Sequence, residues 1–180
     1  MTRPPSEEDE LLVRIAQGDR SAMRLLYEKM APAAQRFAMN YVSDAVEVAD
    51  IVQNALLDVW QTAHRFDGRA SGRTWVLSIT RNKAIDHIRK TRRTVLAEPD
   101  EHIPDDTPSP EAMLAAAQES ERIKACLSTL SESHRAAIHL AFFEELSYRE
   151  VAEVENVPES TIKTRIFHAK KLLLRCVTAN

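Results

Sequence analysis

Apolar residues recur roughly every three to four positions along most of the chain, which is the spacing of amphipathic helices. In the N-terminal half this pattern predicts four helices, the third ending at about Ala63 and the fourth spanning Thr74 to about Arg92. The predicted caps of the first three are Ser6 with Asp9, Asp19, and Ser43 or Asp44. The side chains expected to face the core include Leu25, Leu26, Tyr27 and Phe37 in the second helix and Trp75, Ile79, Ala84, Ile85 and Ile88 in the fourth.

A second group of helices is predicted after an acidic, proline-bearing stretch at 95–110 that has no helical period and is typical of a flexible linker. Ser109 and Pro110 open a helix that passes through Leu127, and Ser131 caps the next helix. Alternating runs of Val, Ile and Thr are missing, and the chain has only 3 glycines. We therefore predict an all-α protein made of two small helical bundles, 1–94 and 111–180, joined by the linker at 95–110.

The stretch LSYREVAEVENVPESTIKTRIFHAKK, which begins at Leu146, has the features of a helix-turn-helix. Ser147 and Glu150 form a capping box, and Asn156 tolerates the left-handed conformation that a tight turn needs. In the helix that follows, the residues expected to face the core are Ile162, Ile166, Ala169, Leu172 and Leu173. The outward residues, a candidate DNA-reading face, are then Lys163, Thr164, Phe167, His168, Lys170 and Lys171.

Two alternatives accompany this interpretation of the stretch. Phe167 is as well suited to the core as to contact with DNA. The whole stretch could also be a helical hairpin whose basic face is simply solvated.

Charge is strongly segregated along the chain, although the formal net charge is only -3. The stretches 65–93 and 163–175 are basic, whereas the segment between them, from Glu98 to Glu121, carries only acidic charges. Two basic surfaces joined by an acidic connector favour a protein that contacts a polyanion at two separate places.

The remaining residue types argue against several other classes of protein. Cys126 and Cys176 are far apart and form no CxxC pattern, so we expect buried, reduced thiols. The 6 histidines are scattered, which predicts no metal and no cofactor, and no nucleophile motif or phosphate-binding loop suggests an enzyme or a small-molecule substrate. Neither a membrane-spanning run nor a signal peptide is evident, so we expect no membrane insertion and a cytoplasmic location.

Three motifs in order carry a resemblance to a known family: DIVQNALLDVWQTAHRF, RTWVLSITRNKAIDHIRKTRR and LSYREVAEVENVPESTIKTRIFHAKKLL. Over nearly its whole length the chain resembles the extracytoplasmic-function sigma factors of bacterial RNA polymerase. The first motif looks like the family's polymerase-clamp helix, the second like its minus-10 helix and the third like its minus-35 reader. Asn54 stands where the family usually has Glu, and Gly72 stands where it favours a bulky apolar or aromatic residue.

The resemblance implies a role for three sets of residues. The minus-35 set is Arg149, Lys163, Thr164, Phe167, His168, Lys170 and Lys171. The minus-10 set, in which the loop from Asp67 to Arg73 would cradle an extruded base, is Asp67, Arg69, Arg73, Arg81, Asn82, Lys83, Asp86 and Arg89. The clamp set is Asp50, Gln53, Asn54 and Asp58. The implied partners are core RNA polymerase, through its clamp coiled coil and its flap, promoter DNA and an anti-sigma factor.

Two other functions remain open at this point. A dimeric helix-turn-helix regulator that acts without polymerase would account for the C-terminal half. A helical adaptor that binds only proteins would leave both basic faces solvated.

Overall fold

The computed structural model describes residues 4–94 and 121–178, and within these two ranges the chain is helical with no strand. We call them the N-terminal module and the C-terminal module. The N-terminal module contains α1 (Glu7–Ala16), α2 (Arg20–Ala38), α3 (Ala45–Thr62), a short 3-10 turn (Ala63–Arg65) and α4 (Gly72–Thr94). The C-terminal module contains α5 (121–128), α6 (Glu132–Phe142), α7 (Tyr148–Glu155) and α8 (Glu159–Thr178). The all-α prediction is confirmed, while the predicted linker at 95–110 lies outside the described residues.

The helix caps are those that the sequence predicts. Both arms of the Ser6 and Asp9 capping box are present at α1, and the carboxylate of Asp19 accepts from the first amides of α2. Asp44, rather than Ser43, caps α3, and Ser131 caps α6. Each cap satisfies amides that a helix start leaves without a partner, which is why these boundaries follow from local sequence alone.

The core of the N-terminal module is lined by fully buried side chains from α1 to α4, among them Leu12, Leu26, Met30, Phe37, Leu56, Val76 and Leu77. The prediction that Leu25 and Tyr27 share this core is wrong, because they are 48% and 50% exposed. They flank Leu26 by one position on either side, and each such step turns a helix by about 100° away from the buried stripe.

In α4 the buried stripe is formed by Val76, Leu77, Thr80 and Ala84. Trp75 and Ile79, which the sequence placed inside, are only partly buried and pack against the edge of the core. The indole of Trp75 lies 5.6 Å from the ring of Phe66, centroid to centroid. Trp75 therefore serves as packing at the edge of the loop that precedes α4.

Gly72 is required where α1 meets the start of α4. Its amide donates to the Asp9 carboxylate over 2.6 Å, and an added Cβ would lie 2.9 Å from the backbone carbon and the Cβ of Glu8. Such contacts are closer than van der Waals packing allows. The approach of α1 thus explains why glycine stands where the family favours a larger residue.

In the C-terminal module α6, α7 and α8 bury Leu140, Val151, Val154, Ile162 and Ile166, which belong to the same hydrophobic cluster as the core of the N-terminal module. Leu172, which was expected in this core, is 43% exposed. It lies one position before Leu173, which packs against the core, and one such step turns a helix by about 100°. The prediction of reduced thiols is also wrong: Cys126 and Cys176 form a disulfide, with Cα atoms 5.7 Å apart. A sequence separation of 50 residues hides the fact that α5 and the end of α8 lie side by side.

Among the described residues, no helix combines the length and the apolar character that crossing a membrane requires. Nor does any group of three or more His, Cys, Asp or Glu side chains within 4–94 and 121–178 come together as a metal site would require.

Candidate nucleic-acid interface

The predicted helix-turn-helix is present as α7, a tight turn and α8. The Ser147 hydroxyl accepts from the Glu150 amide, and the Glu150 carboxylate accepts from the Ser147 amide over 2.9 Å. Asn156 ends α7 with φ 50° and ψ 50°, the left-handed conformation, and its amide is directed at the carbonyls of Ala152 and Glu153. These local devices fix the angle at which α8 leaves the turn.

The outward face of α8 is fully available to a ligand. Ile162, Ile166 and Ala169 are buried against the module, and the predicted minus-35 residues of α8 are exposed: Lys163, Thr164, Phe167, His168, Lys170 and Lys171. Arg149, the remaining member of the set, is exposed on α7. Phe167 is 64% exposed, so its alternative place in the core does not hold.

The charged side chains of this face form only exposed ion pairs within the module. Lys163 pairs with Glu159 at 2.8 Å and Arg149 with Glu153 at 3.4 Å, and all four side chains are well exposed. Exposed pairs of this kind stabilise a fold by less than about 1 kcal/mol, so a phosphate could replace the carboxylate at small cost. Lys170 lies 4.6 Å from the ring centroid of Phe142 in a cation-π contact.

The predicted minus-10 residues are divided into two groups by the structure. Five are exposed along the loop and the outer side of α4: Asp67, Arg69, Asn82, Asp86 and Arg89. The other three, Arg73, Arg81 and Lys83, are partly buried and paired with carboxylates. The partner of Lys83 is Asp58, whose carboxylate lies 2.6 Å away and belongs to the predicted clamp set.

Arg73 lies between the two modules, where it contacts Glu144. The Glu144 side chain is 0% exposed, and it also lies 3.3 Å from the Arg36 guanidinium and 3.4 Å from Nε2 of His139. Burial alone would raise the pKa of Glu144, but His139 and Arg73 outweigh it and hold that pKa at about 2. Glu144 is therefore a buried, charged acceptor that lies between the guanidinium groups of Arg36 and Arg73 of the N-terminal module.

Arg81, about two helical turns after Arg73 in α4, meets a second buried carboxylate. Its Nε lies 3.6 Å from Glu155, which is 2% exposed and also pairs with Arg165 at 3.1 Å. The Tyr41 hydroxyl of the N-terminal module donates to Glu155 over 2.6 Å. Burial, together with the charge of Glu155, raises the pKa of Tyr41 well above its usual range. Sequence reasoning missed both Glu144 and Glu155, because their partners are distant in the chain.

The predicted clamp residues share one face of α3. Asp50, Gln53 and Asn54 are exposed, and Asp58 is partly buried beside Lys83. Leu57, which is 50% exposed, falls on the same face at helical spacing. This leucine was not selected from the sequence, although the i, i+3, i+4, i+7 pattern starting at Asp50 includes it.

Comparison with known proteins supports the resemblance seen in the sequence. The family model for Sigma-70 region 2 matches residues 26–94, and the model for Sigma-70, region 4 matches residues 120–173. The chain is 37% identical over 151 residues to the ECF RNA polymerase sigma factor RpoE of Cereibacter sphaeroides, which covers 82% of each chain. The chain belongs to the ECF RNA polymerase sigma factors. A further relative, the ECF RNA polymerase sigma factor SigK of Mycobacterium ulcerans, is 29% identical over 189 residues, covering 100% of both chains.

Solved structures of similar proteins agree with the fold of this sigma factor. CnrH in complex with the cytosolic domain of CnrY matches with a TM-score of 0.71 at 22% identity, covering 97% of this chain and 99% of that chain. The sigma factor RpoE in complex with the anti-sigma factor NepR from Bartonella quintana matches with a TM-score of 0.67 at 24% identity, covering 87% and 97%. The region 2 match also disfavours a dimeric regulator that acts without polymerase, because such a regulator would not need that region.

Proposed function

We propose that this sigma factor binds core RNA polymerase and directs it to promoters, where it recognises the minus-35 element and melts the minus-10 element. The observation that carries the proposal is the exposed polar face of α8, held by a capped helix-turn-helix, in a chain that matches both sigma regions. No cofactor is needed, because the polymerase supplies the catalysis and this protein supplies recognition. Its proposed place of action is the cytoplasm, where its polymerase partner works.

In the minus-35 contact, the N-terminal half of α8 enters the major groove. Lys163 and Thr164, in that half, offer an ammonium group and a hydroxyl to base edges or phosphates. Phe167, further along the same face, can press on a thymine methyl. Arg149, Lys170 and Lys171 supply charge for the flanking phosphates.

In the minus-10 contact, α4 and the loop before it hold the unpaired strand. Arg69 and Arg89 are exposed cations at the two ends of this path, with Asn82 between them. A cationic groove beside a loop is suited to a strand whose bases have been unstacked. Arg73 and Arg81 belong to the same set, but they require the neighbouring carboxylates to withdraw.

In the polymerase contact, the α3 face of Asp50, Gln53, Asn54 and Asp58 surrounds the exposed Leu57. An apolar centre within a polar rim is the usual composition of a protein interface. With the polymerase as a scaffold, two weak DNA contacts at fixed spacing reinforce each other through their high effective concentration. By similarity to the relatives, an anti-sigma factor is the proposed inhibitor.

Run-off transcription with core polymerase of the native host tests this proposal. The wild-type protein should yield promoter-dependent transcripts from genomic fragments, and Lys163→Ala with Thr164→Ala should abolish most of them. Arg175→Ala is the matched control, since Arg175 is an exposed cation about three turns further along α8. Failure of the wild-type protein on every fragment, or equal loss with Arg175→Ala, would contradict the proposal.

A further inference from the structure

The way the two modules pack points to a function for the buried carboxylates. We propose that the protein holds itself in a closed, self-inhibited state, in which Glu144 and Glu155 of the C-terminal module occupy the two α4 arginines that the promoter strand needs. This inference rests on the proposed function of α4. It adds that carboxylates of the chain itself compete with the DNA strand for these arginines. The carboxylates are brought there because α7 packs along α4 and α6 packs against α2.

The first contact is centred on Glu144, which follows α6. Its two oxygens face cations of the N-terminal module, with Arg73 on one oxygen and Arg36, 3.3 Å away, on the other. Arg73 also lies 3.8 Å from Glu8 of α1. The two carboxylates offset the positive charge of this guanidinium, which disfavours a phosphate beside it.

The second contact is centred on Glu155, at the end of α7. It accepts from Tyr41 over 2.6 Å and lies 3.6 Å from Arg81, so two groups of the N-terminal module converge on it. Arg165 of its own module completes the set at 3.1 Å. Two of these three partners, Tyr41 and Arg81, would be lost if the modules separated.

Further contacts between the modules use no group of the minus-10 set. Arg135 of α6 donates to the backbone carbonyl of Asn40 over 2.6 Å. The ring of His139 stacks between Phe37 and Phe143, with centroid distances of 6.1 and 5.5 Å. These contacts fix the register in which the two carboxylates meet the two arginines.

The competition is chemically direct. Guanidinium groups bind carboxylates and phosphates through the same N–H donors. A buried carboxylate cannot remain charged without partners, so Glu144 and Glu155 keep the arginines until both modules rearrange. The closed state is also selective, because it covers Arg73 and Arg81 but leaves Lys163, Thr164 and Lys170 exposed. The free protein should thus bind duplex DNA through α8 while binding single strands poorly.

The full-length double variant Glu144→Gln with Glu155→Gln tests the proposal. Glutamine keeps the shape and most hydrogen bonds of each side chain but removes the charge. The matched control is Glu132→Gln with Glu145→Gln, two exposed carboxylates of the same module, which changes the net charge equally. Small-angle X-ray scattering reports compactness, and fluorescence anisotropy reports binding of labelled single-stranded and duplex DNA of mixed sequence.

The wild-type protein and the control should share a compact radius of gyration of about 16 Å. The test variant should be larger and should bind the single strand at least about tenfold more tightly than the control, because the competent fraction rises. Duplex binding should equal that of the control. An unchanged radius, or a larger radius with no gain in single-strand affinity over the control, would overturn the proposal.

A second variant covers the case in which the first fails to fold, as judged by circular dichroism. Tyr41→Phe with Arg135→Gln removes two hydrogen bonds between the modules and leaves every residue of the minus-10 set unsubstituted. It should shift both measurements in the same direction, and no shift in either would overturn the proposal. Run-off transcription separates the two hypotheses: absence of transcripts with every variant counts against the proposed function, whereas the radius and the single-strand affinity decide on closure.

Discussion

Reduction of the Cys126–Cys176 disulfide should destabilise the C-terminal module by about 4 kcal/mol. The bond joins residues separated by 50 positions, so it closes a long loop in the unfolded chain. For a loop of that length, the chain-entropy relation gives a loss of about 14 cal/mol/K, or about 4 kcal/mol at room temperature. Cys126 is only 4% exposed, so its thiol keeps its packing after reduction and the main effect is on the unfolded state.

This loss is large for a module of this size. About 60 residues contribute roughly 3 to 9 kcal/mol of stability in total. Removing about 4 kcal/mol changes the ratio of folded to unfolded protein by about a thousandfold. Reduction should therefore bring the module close to unfolding at moderate temperature.

Urea unfolding, with and without a thiol reductant, measures the effect. Trp60 and Trp75 both lie in the N-terminal module, so tryptophan fluorescence reports that module, while far-ultraviolet circular dichroism reports both. Reduction should lower the midpoint seen by circular dichroism by more than about 1 M urea. Cys126→Ser with Cys176→Ser is the control, on which the reductant should have no effect. A change of less than about 1 kcal/mol in the wild-type protein would refute the reasoning.

Three further predictions follow from single features of the structure. Gly72→Ala should lower the free energy of unfolding by about 1 to 3 kcal/mol, because the new Cβ meets Glu8; stabilisation in urea unfolding would show that the contact is relaxed. The pKa of Glu144 is lowered from 4.5 to about 2 in the folded protein. The ionised carboxylate therefore contributes up to about 3 kcal/mol to the free energy of unfolding above about pH 4.5, and this contribution is lost as the pH falls toward 2. Acid unfolding should therefore be steeper for the wild-type protein than for Glu144→Gln, and parallel curves would count against this. Asp50→Lys should weaken binding to core polymerase in a pull-down without changing binding to duplex DNA. If the pull-down is unchanged, Asp50 does not contribute to polymerase binding.

The features that sequence reasoning predicted correctly depend on neighbours in the chain. Ser6, Asp19, Ser131 and Ser147 cap helices because each is followed within three residues by the amides that it satisfies. Asn156 ends α7 for an equally local reason. These positions, together with helical periodicity, are sufficient to predict the two helical modules and the exposed face of α8.

The features that it missed depend on residues distant in sequence. Glu144 finds Arg73 across 71 positions and Tyr41 finds Glu155 across 114, so no window of sequence contains either pair. The cysteine pair was misjudged for the same reason. Periodicity also did not distinguish Leu172 from Leu173: the two are adjacent, but only Leu173 packs against the core and Leu172 is 43% exposed. The roles of the three residue sets in DNA and clamp binding remain predictions.

The salt dependence of single-strand affinity tests whether binding of the strand requires the closed state to open. The carboxylates on Arg73 and Arg81 are nearly inaccessible to solvent, so ions screen those pairs little, whereas contacts to a single strand lose affinity with a slope of about -0.7 per neutralised phosphate. If capture requires opening, the wild-type protein and Glu144→Gln with Glu155→Gln form the same final contacts, and their plots of log affinity against log salt should be parallel but offset. If the strand instead binds the closed protein through exposed cations such as Arg69 and Arg89, the wild-type slope should be shallower by about 1.4, since two arginines no longer contribute. We expect parallel lines, because the path along α4 is continuous only when Arg73 and Arg81 are released, and a shallower wild-type slope would contradict that requirement.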